Sequence, residues 1–193
     1  MRIVPLPEAW SLRACVLAEV ENPRAWFSAE ELAVVDAFAR EKRREEWMHS
    51  RIAEKELRAR GARGEHVSYS HRGPYGAAAV GEEPIGIDVE IARDIRPDSA
   101  RFFLTADEAA DAERCAIPHA LLHFWCAKEA AWKQRGGALP TLKRVPLRLL
   151  GETDRGLLFD VVETYASGDV VVALAPSGRA EARPTLGPRV RSA

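Results

Sequence analysis

The chain has 193 residues, 47% hydrophobic and 30% charged, enough apolar content to close one ordinary domain or two small subdomains around a core. Lys+Arg 28 against Asp+Glu 29 leaves a formal net charge of -1, so no global field draws the protein to nucleic acid or to a membrane surface, and any anion site must be built locally. Cys15, Cys115 and Cys126 are odd in number, scattered and without metal-ligand spacing, which fits a reducing compartment and sets the cytoplasm as the expected location. No long apolar run follows a basic start and no stretch is long enough to span a bilayer, so neither export nor anchoring is expected.

In chain order, Ile3, Val4 and Leu6, then Leu12, Ala14, Val16 and Val20, alternate loosely and predict one or two strands. Ser28 with Glu31 is a capping-box pattern that starts a helix near Ala29. A second, strongly charged helix is predicted from about Glu41 to Arg60, where Gly61 and Gly64 end it. Val67 to Ser70, Tyr75 to Val80 and Ile85 to Ile91 read as strands separated by turns at Arg72-Gly73-Pro74 and Gly81-Glu82-Glu83-Pro84. Thr105 with Glu108 opens a short helix, and Pro118 is placed in the first turn of a longer one running to Arg135. Leu157 to Tyr165 and Val170 to Ala175 are predicted as a hairpin around Ser167-Gly168-Asp169. Strands and helices without regular βαβ alternation predict an α+β fold. The natural break lies at Gly81 to Pro84, giving residues 1–82 and 83–176, with 177–193 expected to be a mobile tail rich in Pro, Gly and Arg.

Gly86-Ile87-Asp88-Val89-Glu90 is the first constellation with chemical content. Alternation along a strand puts Asp88 and Glu90 on one face and Ile85, Ile87, Val89 and Ile91 on the other. Paired hard oxygens suit Mg²⁺, which substrate phosphates often complete; an amphipathic strand with its acids in water has the same pattern. The second is Phe124-Trp125-Cys126-Ala127-Lys128-Glu129-Ala130-Ala131-Trp132-Lys133, where helical spacing places Glu129 and Lys133 one turn apart with Lys128 beside them. Facing the acidic strand, Glu129 would complete a metal site or act as a base while the lysines bind phosphate; an exposed Glu-to-Lys pair is the plainer reading, with Trp125 and Trp132 as packing anchors. The third is Ser68-Tyr69-Ser70-His71-Arg72, an anion-binding strand end or a surface turn. Residues adjacent on a strand face opposite ways and no G-x-S-x-G elbow is present, so a Ser-His nucleophile is discounted. Lys42, Arg43, Arg44, Arg51, Lys55 and Arg58 supply positive charge on the second helix, but interleaved glutamates nearly neutralise it, which argues against a nucleic-acid stripe.

Taken in this order, Ser70-His71, then Gly86-Ile87-Asp88-Val89-Glu90, then Trp125-Cys126-Ala127-Lys128-Glu129-Ala130-Ala131-Trp132-Lys133, the chain resembles the 4′-phosphopantetheinyl transferases of the Sfp-like class. An Arg-rich helix before the first motif and Arg101-Phe102-Phe103 ahead of an acidic helix extend the likeness from about Ala29 to Pro140. The resemblance implies two similar α+β halves about a pseudo-twofold axis, in a monomer with coenzyme A between them. It implies transfer of phosphopantetheine from coenzyme A to a serine of an apo carrier protein, with release of 3′,5′-ADP. It further implies Mg²⁺ held by Asp88, Glu90 and Glu129; contacts from Ser70, His71, Lys128 and Lys133 to the phosphates; Lys42, Arg43 or Arg44 at the 3′-phosphate; and Glu129 and Lys133 at the reacting centre. The carrier would present an acidic helix beside its serine, and neither nucleic acid nor membrane is implied as a partner. The stretch before Ser70 is short and lacks the G-K-P segment of many relatives, and Arg72 stands where a small residue is common, either adding a phosphate contact or obstructing one. A Mg²⁺-dependent phosphoesterase is a weaker reading, because neither a second metal cluster nor a placed nucleophile is found. A catalytically silent scaffold that binds coenzyme A or a carrier protein is the other alternative.

Overall fold

The computed structural model describes residues 1–177, so the expected mobile tail lies outside the described residues apart from Ser177. β1 (Arg2–Ile3) pairs antiparallel with β2 (Ala14–Ala18). α1 (Ala29–Asp36) begins with the expected reciprocal cap: the Glu31 N–H donates to Ser28 Oγ and the Ser28 N–H to the Glu31 carboxylate. α2 (Glu41–Ala59) buries Met48, Ile52, Ala53 and Leu57 and leaves its charges outside. β3 (His66–Arg72) and β4 (Tyr75–Gly81) form a hairpin that turns through Gly73 at φ +55. The first sheet has the order β1-β2-β4-β3.

The second half comprises β5 (Ile85–Ile91), the short α3 (Pro97–Ala100), α4 (Ala106–Arg114), α5 (Ala120–Gln134), β6 (Leu149–Thr153), β7 (Gly156–Phe159), β8 (Glu163–Ser167) and β9 (Val170–Pro176). Its sheet runs β5-β9-β8-β7-β6. Thr105 and Glu108 cap α4 reciprocally, as their spacing predicts. The chain is thus mixed α+β with two sheets, each carrying one long helix, and the change of sheet falls between Gly81 and Ile85.

Two expectations about elements need correction, and one strand was not foreseen. Pro118 lies before α5, whose N-cap is His119 in the left-handed region at φ 57. The single strand expected over Leu157 to Tyr165 is two strands, because Asp160 folds the chain there: its Oδ1 accepts the Val161 and Arg148 N–H groups, and the Phe159 N–H donates to the Val162 carbonyl. β6 carries no strong sequence pattern and was not anticipated.

The halves share a hydrophobic layer. Ala14, Val16, Ala77 and Ala79 of the first sheet cluster with Ile87, Val89, Val172 and Leu174 of the second. Two further clusters sit under α2 and α5. Where the sheets meet, β3 and β5 form no ladder; serine hydroxyls replace it. The Ile87 N–H donates to Ser68 Oγ at 3.1 Å and the Val89 N–H to Ser70 Oγ at 3.3 Å. Each bond removes a buried unsatisfied donor that would cost about 1–3 kcal/mol.

α5 crosses β5 at Gly86 so closely that a Cβ there would lie 1.9 Å from the Ala130 carbonyl oxygen and 2.8 Å from the Gln134 nitrogen. This contact brings Glu129 and Lys133 down onto the acidic face of β5. Gly86→Ala is expected to cost about 1–3 kcal/mol by overpacking and to lift α5 away from Asp88; chemical denaturation and metal titration of the variant check both effects.

Candidate functional site

The acidic face of β5 is covered. Asp88 and Glu90 are buried, 6% and 8% exposed, so the plain reading of a strand with its acids in water fails. Asp88 Oδ1 accepts from Ser70 Oγ and from Lys133 Nζ, both at 2.8 Å, and Lys133 also donates to the Ile87 carbonyl at 3.0 Å. Asp88 Oδ2 is buried without a hydrogen-bond partner. Glu90 Oε2 is held by Arg72 Nε at 3.0 Å and Arg93 Nη2 at 3.2 Å.

Glu129 is partly buried one turn before Lys133 and accepts no hydrogen bond among the described residues. Burial raises its pKa above the usual carboxylate value; the Asp88 charge adds to the rise, Lys133 opposes it, and Glu90 adds further. The Glu90 pKa is also raised, chiefly by burial, with Arg72 and Arg93 working against it and Asp88 with it. The helix face and the strand face therefore meet, which their spacing alone left open.

Ser70 is not free to meet a phosphate. Its proton goes to Asp88 and its oxygen receives the Val89 N–H, so it aims the carboxylate instead. His71 Nε2 lies 3.0 Å from Glu46 Oε2, and burial lowers its pKa, with Glu46 opposing and Arg43, Lys133 and Lys42 reinforcing the fall. Of the two arginines, Arg43 lies on this side, 3.6 Å from Glu46; Arg44 turns away and donates to the Phe38 carbonyl at 2.9 Å.

Lys128 is the clearest correction. It is fully buried on the far side of α5, where its Nζ pairs with Glu108 Oε1 at 2.6 Å and donates to the Val145 carbonyl. Burial lowers its pKa although Glu108 opposes the shift. It braces the helix and does not face the acidic cluster. Glu108, Arg93 and Glu46 are the partners that sequence reasoning missed; Arg72, expected to add or obstruct a phosphate contact, is paired with Glu90. Glu108 carries a local signal only as the cap of α4, and Arg93, just past the end of β5, has no helical spacing that would announce its pairing with Glu90.

Among the described residues no three His, Cys, Asp or Glu side chains stand ready as a metal-ligating group. The carboxylates are instead turned to the protein's own cations. The donor set nonetheless fits Mg²⁺: the oxygens are hard, and Asp88 Oδ2 is buried without a hydrogen-bond partner.

Behind the site, His123 is fully buried and paired through Nδ1 with Thr164 Oγ1 at 2.7 Å; burial pulls its pKa down from 6.5 to about 4. Because the folded value lies below the unfolded one, stability is full above pH 6.5 and falls as pH drops towards 4, by about 3 kcal/mol in total. His123→Gln is expected to remove that part of the acid loss, read as the difference between the two proteins' unfolding free energies across this range.

Among the described residues no helix is long and apolar enough to cross a membrane. No curated protein matches the chain. Residues 84–157 match the family model described as the 4′-phosphopantetheinyl transferase superfamily, a span that begins just before β5 and includes α5. The stretch that carries Asp88, Glu90, Glu129 and Lys133 is therefore the part of the chain that is similar to the 4′-phosphopantetheinyl transferase superfamily.

Proposed function

We propose that the protein is an Sfp-like transferase that moves 4′-phosphopantetheine from coenzyme A to a serine of an apo acyl, peptidyl or aryl carrier protein and releases 3′,5′-ADP. The family match supports phosphopantetheine transfer in general. The observation that carries the finer reading is the buried Asp88–Glu90 pair beneath Glu129 and Lys133, with one carboxylate oxygen left without a partner.

In this reading Asp88, Glu90 and Glu129 would hold Mg²⁺. When bound, the ion would offset the negative diphosphate oxygens and the charge that develops on the departing 3′,5′-ADP. Lys133 exchanges its bond to Asp88 for a phosphate oxygen; at the neighbouring edge Arg43 contributes positive charge and His71 a hydrogen-bonding imidazole. Glu129 receives the proton of the carrier serine as the base nearest the reacting centre. The serine oxygen forms the new bond to the phosphorus that bears pantetheine, and the bridging bond breaks with its electron pair leaving on 3′,5′-ADP. Ser70 acts indirectly by fixing Asp88.

All these groups lie on one chain, which supports a monomeric enzyme, and three free cysteines support a reducing, cytoplasmic setting. Residues 1–82 and 83–176 serve as the two halves of the cleft, with an acidic carrier helix as the protein partner. The test is chromatographic: coenzyme A, Mg²⁺ and an apo carrier should yield 3′,5′-ADP in proportion to enzyme. Absence of 3′,5′-ADP with acyl, peptidyl and aryl carriers alike would overturn the assignment.

A further inference from the structure

Three carboxylates, Asp88, Glu90 and Glu129, are matched at this site by three cationic side chains, Lys133, Arg72 and Arg93. The neighbouring set, Glu46 with His71, Arg43 and Lys42, has cations of its own. A divalent cation entering alone would meet no net attraction, and its two charges would be left uncompensated beside the guanidinium groups. A diphosphate entering with it would restore the balance.

Arg72 and Arg93 are built for such an exchange. Both hold the same oxygen, Glu90 Oε2, and their side chains are 47% and 43% exposed against 11% for the Glu90 side chain. The carboxylate is fixed in the floor; the guanidinium groups are at the mouth. Planar guanidinium groups bind phosphate oxygens as well as carboxylates.

We propose that Arg72 and Arg93 form an exchangeable clamp, holding Glu90 until a diphosphate arrives and then passing to that diphosphate, so that divalent cation and diphosphate bind with positive coupling. This rests on the reading of the site as one that takes a diphosphate with a divalent cation. Release of Glu90 is the shared event: each ligand favours the state that the other needs, and the coupling is reciprocal.

The test is calorimetric titration of Mn²⁺ alone into wild type and into Arg72→Gln/Arg93→Gln. Removing two positive charges is expected to tighten Mn²⁺ binding about tenfold, while coenzyme A binding in the presence of Mn²⁺ weakens about tenfold. Arg72→Lys/Arg93→Lys keeps the charge and should leave Mn²⁺ affinity near wild type. If the double Gln variant does not fold, Arg93→Gln alone should shift Mn²⁺ affinity in the same direction by a smaller factor. A merely structural clamp predicts the opposite sign, so unchanged or weaker Mn²⁺ binding in the Gln variants overturns the proposal. Carrier modification by wild type without a Mn²⁺ shift in the variants would remove the clamp and leave the transferase. A Mn²⁺ shift without carrier modification by wild type would do the reverse.

Discussion

Lys128→Ala is expected to lower the unfolding free energy by about 3–5 kcal/mol, because it strands the buried Glu108 carboxylate. Glu108 is a junction: Oε2 accepts the Thr105 N–H that starts α4, while Oε1 accepts Lys128 Nζ and the Leu147 N–H. Removing the lysine unties α4, α5 and the segment before β6 together. Lys128→Met/Glu108→Gln should recover part of the loss, since replacing both charges avoids the unpaired one. Denaturant unfolding separates this from a phosphate-binding role, in which Lys128→Ala would keep its stability and lose affinity for coenzyme A.

Glu129→Gln is expected to slow transfer by about 10²–10⁴-fold, the usual contribution of a placed base, and to raise the thermal midpoint of the metal-free protein. The second effect follows from the first set of observations. Glu129 is pressed into partial burial near two other carboxylates, so its charged form is disfavoured. The amide keeps the shape and removes the repulsion; sites that bind cations commonly sacrifice stability in this way. A rise in midpoint is expected when Mg²⁺ is added to wild type, and it should shrink in the variant. A lower midpoint without metal would contradict this electrostatic account. Asp88→Ala is less clean, because Asp88 is itself buried and anchors both Lys133 and Ser70; loss of folding free energy will accompany its loss of activity.

Alternation along Ile85–Ile91 and the one-turn spacing of Glu129 and Lys133 were legible in the sequence because they follow from strand and helix geometry alone. Their meeting was not. It depends on Gly86, whose missing Cβ admits the Ala130 carbonyl, and nothing local says which helix will use that space. Lys128 was misread for the same reason: adjacent helical residues diverge by about 100°, and only the packing of α4 and the chain around Val145 decides that Lys128 faces inward while Glu129 faces β5. Ser70 shows a third limit. Its position beside His71 suggests an anion contact, yet the sheets meet there without a ladder, and its hydroxyl is taken by the Val89 N–H and Asp88. The split of Leu157 to Tyr165 turns on Asp160, whose side chain captures two backbone donors inside an otherwise strand-like run.

The most direct test of the central claim is the intact mass of an apo carrier protein after incubation with the enzyme, coenzyme A and Mg²⁺, beside an EDTA control. The account predicts a gain of one phosphopantetheine on the carrier that requires Mg²⁺ and is lost when the acceptor serine is replaced by alanine. An unchanged carrier mass across acyl, peptidyl and aryl carriers, with coenzyme A still bound, would contradict transfer and leave a scaffold that binds without turnover.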